Sequence, residues 1–187
     1  MKFDDVLGDG RLWAVRYDGM QDNILFCTFH DWVDIDWLEL FFTEHIADLR
    51  RYFRITEVND AIIDTITDAT RLQALILDLS PEADLDLLFR PLDNNRIAEM
   101  LLGKEKAKGE RTSGHPSWLR LYALKVEPQI YIITGGAIKL TYKMEDRQHT
   151  LKELERLEVV RNFLIEKGVA DLEGMIDLNK EEYDKSN

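Results

Sequence analysis

The sequence predicts an α+β domain: an antiparallel sheet of about five to six strands, with an N-terminal helical hairpin and a C-terminal helix packed mainly on one face. Three observations predict it. Between Ile35 and Leu79 two adjacent stretches repeat apolar residues every three to four positions, the period of one helix face. The segment Trp118–Lys143 strings β-favouring residues between turn signals. Thr150-Leu151-Lys152-Glu153 then opens a further amphipathic stretch with the pattern of a capping box. The 187 residues suit a single domain over 1–187.

The elements follow in chain order. Leu12–Tyr17 alternates as a strand, Asp18-Gly19 signals a turn, and the apolar run Ile24–Phe29 reads as the returning strand of a hairpin. Trp37, Leu38, Phe41, Phe42, His45, Ile46, Leu49 and Phe53 share one helix face, with Asp34 and Asp36 at its start. Val58 to Leu79 forms the second helix, with Thr56 as its cap and Ser80-Pro81 as its end; Asp60, Asp64, Asp68 and Asp78 read as its solvated face. Leu85–Leu92 is expected to be a short edge strand, since Pro91 has no amide hydrogen to give a ladder. Residues 96–116 read as a basic loop after a helical turn at Ile97–Leu102. WLRLYALKV (118–126) and IYIIT (130–134) are strong strands about a Glu127-Pro128-Gln129 turn. Gly135-Gly136 marks a bulge or tight bend, and Ala137–Lys143 continues the strand or forms another. Gly168 ends the last helix, and the polar tail over 179–187 is expected to fray.

Composition narrows the function classes. The one cysteine, Cys27, rules out a disulfide or a thiolate zinc site within the chain and reads as a small buried hydrophobe. The first ten residues lack a basic, apolar secretory pattern. No apolar run approaches the roughly 20 residues that span a bilayer. A cytoplasmic protein with no membrane partner is expected. The net charge of −12 argues against indiscriminate nucleic-acid binding, and no direct DNA partner is expected. The charge is uneven, however. Residues 1–88 carry 7 basic against 19 acidic residues, whereas 90–143 carry 10 basic against 5 acidic.

No complete catalytic signature is present. Gly135-Gly136 lacks the Lys-Ser/Thr pair and following helix of a phosphate loop. His30, His45, His115 and His149 are too scattered to read as a metal site, and neither metal nor cofactor is expected. What remains is a set of cationic and phenolic side chains on the C-terminal sheet: Arg120, Tyr122, Lys125, Lys139, Tyr142 and Lys143. Such groups suit cleavage of an RNA phosphodiester by its neighbouring 2′-hydroxyl, which needs a base, a cation for the phosphorane charge and an acid for the leaving oxygen. They equally suit RNA binding, with Arg90, Lys125, Tyr122 and Lys143 as phosphate or base contacts and Trp118, Tyr122 or Tyr131 stacking on bases.

The segment WLRLYALKVEPQIYIITGGAIKLTYKM, followed by TLKELERLEVVRNFL, resembles the core of RelE/HigB-type toxins, in the style of their larger, phage-derived branch. The resemblance is clearest over residues 118–168; over the first ninety it extends only to two helices preceding the sheet. It implies an mRNA endoribonuclease, ribosome-dependent or free, that a cognate antitoxin silences. By the same resemblance Arg120 stands for the arginine of the family's "leu-arg" strand and Lys139 for the lysine after its hydrophobic strand. His149 stands more loosely for the histidine that some members carry. The implied catalytic set is Arg120, Lys139 and His149. The chain departs from the family in its length, its acidity, and a Gly-Gly break where a paired-lysine form would stand. The alternative expectation is a non-enzymatic interaction protein of mobile-element origin on the same scaffold.

Overall fold

The computed structural model describes residues 1–78, 81–92, 102–108 and 114–184. The expected α+β class holds. The strands are β1 (Lys2–Asp5), β2 (Leu12–Arg16), β3 (Arg90–Pro91), β4 (Gly103–Lys108), β5 (Leu119–Glu127) and β6 (Ile130–Ile138). They form one sheet in the order β1-β2-β6-β5-β4-β3. It is mixed rather than wholly antiparallel, because β2 lies parallel to β6, with Leu12 opposite Tyr131 and Ala14 opposite Ile133. A parallel pair needs a long crossover. Here the whole chain between β2 and β6 supplies it, beginning with the helices α1 (Ile24–Val33), α2 (Ile35–Glu44), α3 (Ile46–Asp48), α4 (Val58–Leu77) and α5 (Leu85–Leu88).

The N-terminal hairpin forms one step earlier than the sequence suggests. β1 pairs with β2, and Asp5 ties the connecting loop by accepting hydrogen bonds from the Gly8 and Gly10 amides at 2.9 Å. Ile24–Phe29, expected as a strand, is the start of α1. Its length and apolarity fit either element, but the Asn23 side chain caps the helix by accepting from the Phe26 amide at 3.3 Å. Ile24, Leu25, Thr28, Phe29 and Trp32 are then buried at helical spacing. Asp34 caps α2 in the same way, accepting from the Trp37 amide at 3.1 Å. Leu85–Leu88 is also helical, so the expected edge strand shrinks to Arg90–Pro91. Within the expected basic loop, Gly103–Lys108 is a strand, while residues 96–101 and 109–113 lie outside the described residues.

The last helices are α6 (Gln148–Glu166) and α7 (Leu172–Asp184). The helix begins at Gln148, two residues before the expected capping box, which does not form. The Thr150 hydroxyl bonds the Met144 and Arg147 carbonyls instead, and Glu153 turns into the interior. Residues 179–184 of the expected frayed tail are the end of α7; 185–187 lie outside the described residues.

The helices lie on both faces of the sheet, not mainly on one. Successive residues of a strand face opposite ways. A Cβ on Gly135 would lie 1.8 Å from Glu153 of α6, and a Cβ on Gly136 would lie 2.6 Å from Thr28 of α1. So α1 packs one face and α6 the other, with α2 and α4 beside α1. The expected interruption is displaced by one residue. Both glycines remain in the ladder, and the bulge leaves Thr134 unpaired between Tyr122↔Gly135 and Ala123↔Ile133. Each layer buries its own set of apolar residues. Phe42 and Trp118 belong to the α1 side; Phe3, stacked on Phe163 at 6.1 Å, belongs to the α6 side.

These contacts make Gly136 the less tolerant glycine. Its neighbours are the branched Thr28 side chain and the Arg120 carbonyl at 3.1 Å, whereas Gly135 meets the flexible end of a glutamate. Gly136→Ala is expected to lose about 1–3 kcal/mol in urea unfolding, the usual cost of overpacking. Gly135→Ala is expected to recover most of its smaller loss in a Glu153→Ala background, a coupling that a double-mutant cycle measures.

Candidate nucleic-acid interface: a basic cleft at the β3–β4 edge

The candidate site begins with strand alternation in β4. In Gly103-Lys104-Glu105-Lys106-Ala107-Lys108, Glu105 and Ala107 are buried and the three lysines point to the other face. The register carries that face across the sheet: Lys106 stands opposite Tyr122, and Lys108 opposite Arg120. The chain leaving β6 brings Lys139 and Tyr142 alongside, and α6 supplies Leu154 and Arg161. The result is a cleft of about 1330 Å³, with apolar walls from Leu75, Leu87 and Leu88. Among the described residues, seven cations line it (Arg90, Lys104, Lys106, Lys108, Arg120, Lys139 and Arg161) against two carboxylates, Asp84 and Glu145.

Several of these cations are held in place. Arg120 is half-buried, and one of its terminal nitrogens donates to the Ser117 and Leu119 carbonyls at 2.7 Å. Burial also lowers its affinity for its proton. Lys139 Nζ donates to the Thr141 and Tyr142 carbonyls at 2.6 and 2.5 Å. Its pKa falls below the ordinary lysine value, through burial first and then through the positive charges of Arg120 and Lys106. Lys106 reaches the Leu92 carbonyl at 3.1 Å, Lys104 pairs with Glu158, and Arg161 donates to the Leu102 carbonyl at 3.3 Å. The Tyr122 hydroxyl is buried and has no hydrogen-bond partner among the described residues, and burial pushes its pKa well up, so it stays neutral. Tyr142 stands at the rim, 84% exposed, its ring 5.1 Å from that of Tyr52.

Of the residues expected from sequence, Arg90, Arg120, Tyr122 and Lys139 come together in this cleft. His149, Lys125 and Lys143 do not line it. His149 packs against Phe41 and His45, with ring centroids 5.1 and 4.9 Å away, and its Nε2 lies 2.9 Å from the Ile138 carbonyl. Burial lowers the pKa of both histidines. Lys125 points to the opposite face of β5 and pairs with Asp86 at 3.1 Å. Burial opposes the Asp86 charge, but bonds from Tyr131, the Gln129 amide and Lys125 outweigh it and hold its pKa below the usual range. Lys143 follows the end of β6 and is exposed. Of the stacking candidates besides Tyr122, Trp118 is buried against His115 and Tyr131 against Phe89. Asp64 and Asp68 are not simply solvated: Asp64 lies 3.1 Å from His115, and Asp68 is buried. Cys27 is half-buried and its thiol pKa is raised, chiefly by burial.

Sequence reasoning missed Lys104, Lys106, Lys108 and Arg161. The signal for the three lysines was present, a period of two in KEKAK, but glycines on either side made the stretch read as loop. Among the described residues, no group of three or more His, Cys, Asp or Glu is placed to hold a metal ion, and no helix is long and apolar enough to cross a membrane. Comparison with protein-family models, curated proteins and solved structures finds no match.

Behind Tyr122, burial pushes the Glu153 carboxyl up to about 7, with Arg156 at 2.6 Å opposing the shift. The folded chain therefore holds this proton more tightly than the unfolded chain, whose carboxyl has the ordinary value of 4.5. The resulting stabilisation is fully present below pH 4.5 and is lost as pH rises to about 7. Wild-type stability is expected to fall by on the order of 2–3 kcal/mol across that window from this group. Glu153→Gln is expected to remove that component, as read from urea midpoints at pH 5 and pH 8.

Proposed function

We propose that the cleft binds the backbone of single-stranded RNA, and that the chain is the toxin of a toxin–antitoxin pair, an mRNA endoribonuclease of RelE/HigB type acting in the cytoplasm. The observation that carries this reading is the convergence of Arg120 and Lys139 with five further cations in one cleft of an otherwise acidic protein. A polyanion gains most where several fixed cations line one groove. The exposed Tyr142 ring offers a stacking surface at its rim.

Cleavage here is a transesterification. The 2′-oxygen attacks the adjacent phosphorus, the bond from phosphorus to the 5′-oxygen breaks, and the products are a 2′,3′-cyclic phosphate and a 5′-hydroxyl. The 2′-hydroxyl proton leaves to solvent in the open cleft. Arg120 faces the charge that gathers on the phosphorane oxygens. Lys139, made more acidic by burial and its cationic neighbours, returns a proton to the 5′-oxygen. His149 has no part in this scheme, because it does not line the cleft.

The second reading is a non-enzymatic interaction protein of mobile-element origin. The acidic excess over positions 1–88, of which only Asp84 lines the cleft while Asp48 and Asp68 are buried, favours it, because the remaining carboxylates could meet a basic partner away from the cleft. Two measurements separate the readings. Induced expression is expected to arrest growth for the wild type and not for Arg120→Ala or Lys139→Ala. A single-stranded RNA oligonucleotide is expected to bind with a linear dependence of log affinity on log salt. Lys106→Ala should reduce that slope by about 0.7, the share of one phosphate contact. Growth without arrest, together with intact RNA in the presence of ribosomes, overturns the enzymatic reading.

A further inference from the structure

Three of the seven basic residues in the acidic N-terminal half fall within five positions, Arg50, Arg51 and Arg54, and all three are exposed. The backbone that carries them is irregular. α3 runs into a π-helical turn over Leu49–Phe53. Arg54 closes that turn in the left-handed region, at a φ of 62°, with its amide donating to the Leu49 carbonyl. π-Helical turns are frequent at functional sites, and an arginine held where glycine is favoured is backbone strain of the kind that such sites retain. Asp48, the one carboxylate of residues 45–56, is already paired with Arg147 through bonds of 2.7 and 2.5 Å, so its charge is met there and not by the turn.

Aromatic rings join the turn to the basic cleft. The Arg51 guanidinium lies over the Tyr52 ring at 5.2 Å. The Tyr52 ring in turn meets the exposed Tyr142 ring of the cleft rim at 5.1 Å and an interplanar angle of 83°. A strand that leaves the cleft over Tyr142 therefore comes next to Arg51. A guanidinium stacked by its face keeps its N–H edge for phosphate oxygens.

We propose that the turn over residues 50–54 is a second phosphate subsite, which holds the continuation of a single-stranded RNA whose first part lies in the cleft. This rests on the reading of the cleft as an RNA-binding site. One base stacks on Tyr142, and the phosphates beyond it meet Arg51 and its neighbours Arg50 and Arg54. The route between the two subsites passes over one exposed ring, which only an unpaired base can stack on, so a single strand fits and a duplex does not.

Fluorescence anisotropy on the full chain tests this with oligouridylates of about five and about ten nucleotides, within the usual span of single-strand sites. The longer strand is expected to bind Arg51→Ala/Arg54→Ala about tenfold more weakly than the wild type, with a salt slope lower by about 0.7 for each phosphate contact removed. The shorter strand is expected to bind both proteins equally, which also shows that the variant is folded. Lys180→Glu makes the same change in net charge on α7, which packs on β1 at the far edge of the sheet. At about 0.1 M salt, where such distances are screened, it is expected to leave both affinities unchanged. Equal binding of the longer strand by Arg51→Ala/Arg54→Ala and the wild type overturns the proposal, as does a loss of the same size at both lengths. A shorter strand that depends on Arg120, beside a longer one indifferent to Arg51 and Arg54, overturns the second subsite alone. Binding of neither length by the wild type overturns the RNA reading of the cleft, and the proposal with it.

Discussion

Two helical layers approach the same short piece of backbone from opposite sides, at Gly135 and Gly136 of β6. Neither residue has a side chain, and neither position has room for one without displacing a neighbour: Glu153 on one face, Thr28 on the other. Close approach of this kind is a main structural use of glycine within a strand. It fixes the height of α6 above the sheet and of α1 below it. The height of α6 in turn places Leu154 and Arg161 as one wall of the cleft. The bulge at Thr134, held by the Tyr17 hydroxyl donating to the Thr134 carbonyl at 2.7 Å, sets the register that brings Gly135 beside Tyr122.

The legible parts of the fold are those whose periodicity leaves one interpretation. α4 repeats its apolar positions over twenty residues, and β5 and β6 are apolar runs bounded by Pro128 and by Gln129 at a φ of 69°. The illegible parts have specific causes. Lys2–Asp5 is a strand with only Phe3 to announce it. Ile24–Phe29 is too short and too apolar for period alone to assign, and the deciding residue is the cap, Asn23, outside the run. The parallel pairing of β2 with β6 joins segments more than a hundred residues apart, which no local pattern encodes.

The site divides in the same way. Arg120 and Tyr122 share a strand face, so their convergence follows from alternation. Lys125 has the opposite parity, and alternation alone separates it from them. Lys143 lies beyond the end of β6, where alternation no longer applies. His149 was the weakest carry-over from the family resemblance, and its environment explains why: it fills an aromatic gap between α2 and α6, away from the cations. Lys104 and Lys106, read as loop residues, prove to line the cleft, with Lys104 paired to Glu158 of α6. Charge clustering in the sequence marks the stretch from which the cleft draws most of its cations, but strand pairing decides which of them meet.

The segregation of charge has a kinetic consequence. A long nucleic-acid duplex approaching from solution meets the field of a body at −12, which slows encounter at low ionic strength. A short, flexible strand that enters the cleft lies within about one Debye length of its cations, and there their local field outweighs the distant acidic surface. On the proposed reading of the cleft as an RNA-binding site, this segregation would make the molecule a filter on the size and flexibility of its ligands. Added salt should speed the arrival of long polyanions while it hastens the departure of short ones, so that a single ionic-strength series moves the two rate constants in ways that a uniformly basic protein would not reproduce.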